Sequence, residues 1–317
     1  MPGNRDPRVH VDLAHLRGLN GRARAISFRP RQPSHSILNG QHASKIKGRG
    51  LNFEELRHYA MGDDVRTIDW KVTARTGAPY VRVYTEERDR PVMLIVDQRM
   101  SMYFGSALNM KSVTAAEAAA LAAFRVRAKG DRVGGIIFDD QGLHEVRPQS
   151  SSRSLNRFLD RLAQANCSLH ADAPLVDPIP LSTPIRAAAR IVKSGALVIV
   201  FSDFDGWDAE TEKNLRAIAQ HNELILFSVM DPTSEQLPPD MDIVVSDGTV
   251  QAQINVGDEL VRRKLSDFST GRLASLFRFS SKYAVPVVPL TTAQETLPQL
   301  VRLLGGRGAR GAQADEH

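Results

Sequence analysis

Cysteine is nearly missing from this chain, which has a single one, Cys167. That excludes an intramolecular disulfide and a cysteine-rich zinc site, and it points to a reducing compartment. No apolar run approaches the ~20 residues needed to span a bilayer as a helix. The opening MPGNRDPRVHVD has no apolar core of a secretory signal. A cytoplasmic protein is the expectation. Aromatics are few at 6%, so the core is expected to be aliphatic and alanine-rich. The usual enzyme signatures are missing too. There is no G-x-x-x-x-G-K-[ST] phosphate loop, no G-x-S-x-G elbow and no H-E-x-x-H zinc motif. Cys167 and His170 stand too close in sequence to form a catalytic pair. A non-enzymatic role is the first expectation.

What is present begins with 317 residues, 42% of them hydrophobic, enough for a sizeable core in one or two domains. The charge is uneven. In residues 1–50 ten Lys and Arg face two Asp, a net +8, which leaves −3 for the rest of a chain of net +5. Residues 1–40, with Arg22, Arg24, Arg29 and Arg31 among Gly, Pro and Ser, read as a partly disordered basic arm. Such an arm offers a contact for nucleic acid, an alternative function that should be salt-sensitive. VHVDLAHL is its one candidate structured piece.

Residues 41–90 read as a small β-rich layer, too short for its own core and expected to pack on the body. FEELRHY reads as a short helix, and TIDWKVTA and PYVRVYTEE as strands turning at Thr76-Gly77. Alternation would place Ile68 and Trp70 on one face, with Asp69 and Lys71 on the other. Residues 91–304 then alternate strong apolar strands (VMLIVD, RVGGIIFDD, GALVIVFSDFDG, ELILFSVMD) with helical stretches such as KSVTAAEAAALAAFRVRA. This is the pattern of an α/β sheet with helices on both faces. Residues 305–317 read as a disordered tail. In such sheets ligands collect at the carboxyl ends of the strands. That rule selects Asp97, Phe138-Asp139-Asp140 and Ser202-Asp203.

Asp97 and Asp203 both end apolar strands, and Ser101 and Thr183 offer hydroxyls from neighbouring loops. Hard oxygen donors of this kind suit Mg²⁺ or Mn²⁺ with open positions left for a ligand. The order resembles the metal-ion-dependent adhesion site of von Willebrand factor type A domains, which implies an A-like (Rossmann-like) fold. The first motif, Asp97-Gln98-Arg99-Met100-Ser101, departs from Asp-x-Ser-x-Ser at Arg99. The expected site is therefore degenerate, with a weakly bound ion or none. Arg99 would then pair with Asp97 or Asp203, or meet a partner's carboxylate.

A longer run, GRGLNFEELRHYAMGDDVRTIDWKVTARTG at 48–77, resembles the signature of the "domain of unknown function 58" family. The matching residues are Gly50, Phe53, Leu56, Arg57, Tyr59, Gly62, Asp63, Asp64, Arg66, Asp69, Trp70, Lys71, Ala74 and Arg75. EERD at 86–89 and SMYFGS at 101–106 fit as well. The resemblance implies an adaptor working beside a MoxR-type AAA+ ATPase in assembly or maturation of a target protein. The candidate protein-binding residues are Tyr59, Asp63, Asp64, Arg66, Asp69, Trp70, Lys71, Arg75 and Arg99. Read from the residues alone, the same charges also fit an internal ion-pair network. A metal-dependent hydrolase or nuclease using Asp97, Asp139, Asp140, Asp203 and Asp205 is the remaining alternative.

Overall fold

The computed structural model describes residues 6–26, 51–61, 63–86, 89–173, 176–234, 242–246, 251–255 and 259–304. The chain divides into two units, one of residues 30–89 and one of residues 1–29 with 90–317. The first helix, α1 (Leu13–Gly18), belongs to the larger unit and starts at Asp12, whose side chain accepts from the His15 N–H.

In the smaller unit, β1 (Leu51–His58) pairs antiparallel with β2 (Tyr80–Glu86), and α2 (Trp70–Thr76) lies between them in sequence. Two expectations are corrected here. FEELRHY is strand, because Leu56 and His58 pair with Arg82 and Tyr80, and tertiary pairing overrides helix preference. TIDWKVTA is strand only at Ile68, a single bridge to Val81, and turns helical from Trp70. Asp69 switches the backbone by accepting from the N–H groups of Lys71 and Val72. Gly77 ends the helix at φ 73°, a left-handed conformation that glycine adopts without a Cβ penalty.

The larger unit carries one six-stranded sheet. Its strands are β3 (Pro91–Asp97), β4 (Arg132–Phe138), β5 (Leu143–Gln149), β6 (Leu197–Ser202), β7 (Glu223–Met230) and β10 (Val287–Thr291). They lie in the order β10-β7-β6-β3-β4-β5, all parallel except the edge strand β5. Counted from β3, that is the doubly wound order 3-2-1-4-5-6, as the A-like resemblance led one to expect. A separate hairpin, β8 (Asp242–Ser246) with β9 (Gln251–Asn255), forms its own two-stranded sheet.

Strand alternation builds two cores. Val92, Leu94 and Val96 face one, and Met93 and Ile95 face the other. The first core is covered by α3 (Lys111–Ala128), α4 (Ser152–Ser168) and α8 (Thr296–Leu304). The second is covered by α5 (Ser182–Ile191), α6 (Ala209–Ala219) and α7 (Glu259–Tyr283). Gly135 lets α4 approach the sheet, since a Cβ there would lie 2.3 Å from the Phe158 ring.

The expected basic arm is also corrected over its described part. Val11, Leu16, Leu19, Ala23 and Ile26 are buried in the first core, against α3 and α4. Asn166 fastens this segment by accepting from the Val11 N–H at 2.7 Å. Arg29, Arg31 and the tail 305–317 lie outside the described residues.

Candidate functional site

The parallel register of β3 and β6 brings Asp97 and Ser202 side by side, and Ser202 donates to Asp97 Oδ2 at 2.6 Å. Asp97 is fully buried, and Arg99 is only 3% exposed. The Arg99 guanidinium folds back in a fork, Nε to Oδ1 at 3.0 Å and Nη2 to Oδ2 at 2.7 Å. Its backbone N–H also donates to Oδ1, at 3.0 Å. The remaining reach of the guanidinium goes to the carbonyls of Ile179 and Asp205, with Phe138 beneath its plane at 5.3 Å. Burial alone would lower the Arg99 pKa, but the Asp97 carboxylate raises it above its ordinary value.

Asp203, one residue past β6, is paired with Lys111 Nζ at 2.6 Å. Burial pushes its carboxyl up, but Lys111 and Arg272 bring it below the usual carboxylate range. Asp205 pairs with Arg272 at 3.2 Å. Between the two aspartates, Phe204 sits at φ 58°, a strained conformation for a bulky side chain and one held by complete burial. From the loop after β4, Asp140 accepts from the Met100 N–H at 2.6 Å, and burial raises its pKa. Its other oxygen and the Ser101 hydroxyl are buried without a partner among the described residues.

The metal set expected at Asp97, Ser101, Thr183 and Asp203 does not fit a divalent ion. Two of its carboxylates are held by cations of the chain itself. The Ser101 hydroxyl, without a partner among the described residues, is an oxygen of the set left open, and Thr183 lies in the first turn of α5. No group of three or more His, Cys, Asp or Glu able to hold a metal occurs among the described residues. Arg99 was also expected at a partner's surface, and burial removes it from one. Lys111 and Arg272 were missed by sequence reasoning. Lys111 opens α3 and Arg272 lies inside α7, so neither stands near the aspartate it meets. The only signal available was a lysine beginning an alanine-rich helix.

In the smaller unit the candidate carboxylates are spent locally. Asp63 takes a fork from Arg57, both contacts at 2.7 Å, which lowers its pKa. Asp64 accepts from the Arg66 N–H, and Asp69 caps α2. Tyr59 is half-buried, with its N–H given to the Pro79 carbonyl. The cations differ. Among the described residues the side chains of Arg66, Lys71 and Arg75 have no ion-pair partner, and all three are exposed. Beside them Trp70 is 68% exposed, and Met61 and Val65 are exposed as well.

The larger unit is thus an A-like α/β domain in which Asp97, Asp203 and Asp205 are paired with cations of the chain itself. The chain belongs to the family described as Protein of unknown function DUF58, whose model matches residues 55–272. It is 30% identical over 325 residues to the uncharacterized proteins Mb1516 of Mycobacterium bovis and Rv1480 of Mycobacterium tuberculosis. Each match covers 99% of this chain and 99% of the relative. A crystal structure of the conserved hypothetical protein BatB from Bacteroides thetaiotaomicron aligns with 12% identity and a TM-score of 0.43. That alignment covers 67% of this chain and 96% of BatB. No described helix is long and apolar enough to cross a membrane.

Proposed function

We propose that this chain is a non-enzymatic adaptor that docks a protein partner on the exposed side of α2. The observation that carries the reading is Trp70, a large aromatic left 68% exposed with unpaired cations beside it. Trp70, Lys71, Ala74 and Arg75 form the outward side of the helix, while Val72 and Thr73 are half-buried. Aromatic and arginine side chains dominate binding energy at protein interfaces, and an exposed apolar group rimmed by charge marks such a place. The exposed charges on α2 itself, Lys71 and Arg75, are both positive, so the fitting partner surface is acidic and offers an apolar recess for an indole. Family resemblance makes a MoxR-type AAA+ ATPase the first partner to test. In support, three of the strand-end carboxylates of the larger unit, Asp97, Asp203 and Asp205, are paired with Arg99, Lys111 and Arg272, which takes those three from the set a metal-dependent hydrolase would use.

The test is a binding titration of the full chain with a purified MoxR-type ATPase. Trp70→Ala is expected to weaken binding at least tenfold, and Lys71→Glu with Arg75→Glu to weaken it in a salt-dependent way. Both variants should melt at the wild-type temperature, because the altered side chains are exposed. Wild-type affinity in Trp70→Ala would remove this face from the interaction.

A further inference from the structure

We propose that Arg99 and Lys111 are tethered counter-ions, standing where a divalent cation would otherwise bridge the strand-end loops, so that this face stays assembled without metal. A carboxylate has about four acceptor positions. Those of Asp97 are all in use: Oδ1 takes the Arg99 N–H and Nε, and Oδ2 takes Arg99 Nη2 and the Ser202 hydroxyl. Asp203 takes one donor on each oxygen, Oδ2 from Lys111 Nζ and Oδ1 from the Asp205 N–H.

The guanidinium also does the bridging that an ion would do. From one side chain it holds Asp97 at the end of β3, the Ile179 carbonyl ahead of α5 and the Asp205 carbonyl after β6. A planar fork of five donors suits that task, whereas an ammonium would not. Three carboxylates here are paired one to one, Asp97, Asp203 and Asp205 with Arg99, Lys111 and Arg272, while Asp140 is held by the Met100 N–H. A divalent ion entering here would find no free lone pair on Asp97 and would meet two positive groups at close range.

Calorimetry with Mg²⁺ and Mn²⁺ on the full chain tests this, alongside melting in EDTA and in millimolar Mg²⁺. The wild type is expected to show no saturable heat and one melting temperature in both buffers. Arg99→Ser restores a hydroxyl at the middle position of Asp-x-Ser-x-Ser. It should melt about 10 °C lower in EDTA and regain part of that loss in Mg²⁺, a gain abolished when Asp97→Asn is added. Arg99→Lys keeps the charge and loses the fork. It should melt below the wild type and stay indifferent to Mg²⁺, which covers the case of an Arg99→Ser chain that does not fold. Saturable wild-type Mg²⁺ binding that disappears in Asp97→Asn overturns the proposal. So does an Arg99→Lys or Arg99→Ser chain that melts with the wild type in EDTA.

Discussion

Asp231 shows how hydroxyl and backbone N–H donors together hold a charge. It follows β7 and accepts from the Ser106 N–H and Oγ, the Thr233 N–H and Oγ1, and Thr292 Oγ1. Burial pushes its carboxyl up, but these donors bring its pKa down to about 2. A folded value below the unfolded one means stability that is present above the ordinary carboxylate pKa of ~3.9. It is lost as pH falls through about 2. Asp231→Asn is therefore expected to cost about 2 kcal/mol at neutral pH, with the difference from wild type shrinking towards pH 2. Chemical denaturation at neutral pH and near the acid limit reads this directly, and a pH-independent gap would contradict it. At this scale the sequence was half legible. Asp97 and Asp203 stand out because apolar runs end on them. Their partners do not, since the Lys111–Asp203 pair joins residues 92 apart, and no local spacing encodes that meeting.

Among the elements, the smaller unit was the least legible and the sheet the most. The central strands of the large sheet, β3, β4, β6 and β7, are mostly apolar runs whose type is set by burial on both faces. Residues 51–77 lack that redundancy. FEELRHY is made of good helix formers yet pairs along β2, while α2 has only two inward side chains, Val72 and Thr73, to advertise its period. What decides the helix is its two ends, Asp69 and Gly77. Asp69→Ala is expected to cost about 1 kcal/mol and to release α2 before the rest of the chain. Hydrogen exchange at Val72 and Thr73 should quicken while exchange in β3 and β6 holds. Equal loosening of all of these would show that the cap has no separate role.

For the whole molecule, the decisive element is α3. It is buried nearly all round, with Ala115, Ala116, Ala118, Ala119, Ala120, Ala122 and Ala123 all covered. A helix without a polar face needs cover on both sides. The sheet supplies one side, and the segment around α1 supplies part of the other. That requirement was readable in TAAEAAALAAF, and it was the missed clue that residues 1–40 hold more than a basic arm. The apolar residues that answer it are scattered among arginines, which hid them. Glu117 adds a polar tie, accepting from His15 at 2.7 Å and from Thr296 at 2.5 Å. Leu16→Ala should cost about 2–5 kcal/mol and leave the segment open to proteases. Retained protease resistance, with a wild-type melt, would show the segment to be an ornament on a core complete without it.

The Val11–Asn166 bond spans 155 positions of the chain. At the usual pace of synthesis that gap lasts on the order of ten seconds. The segment around α1 must therefore wait, with its leucines uncovered, for a surface that has not yet been made.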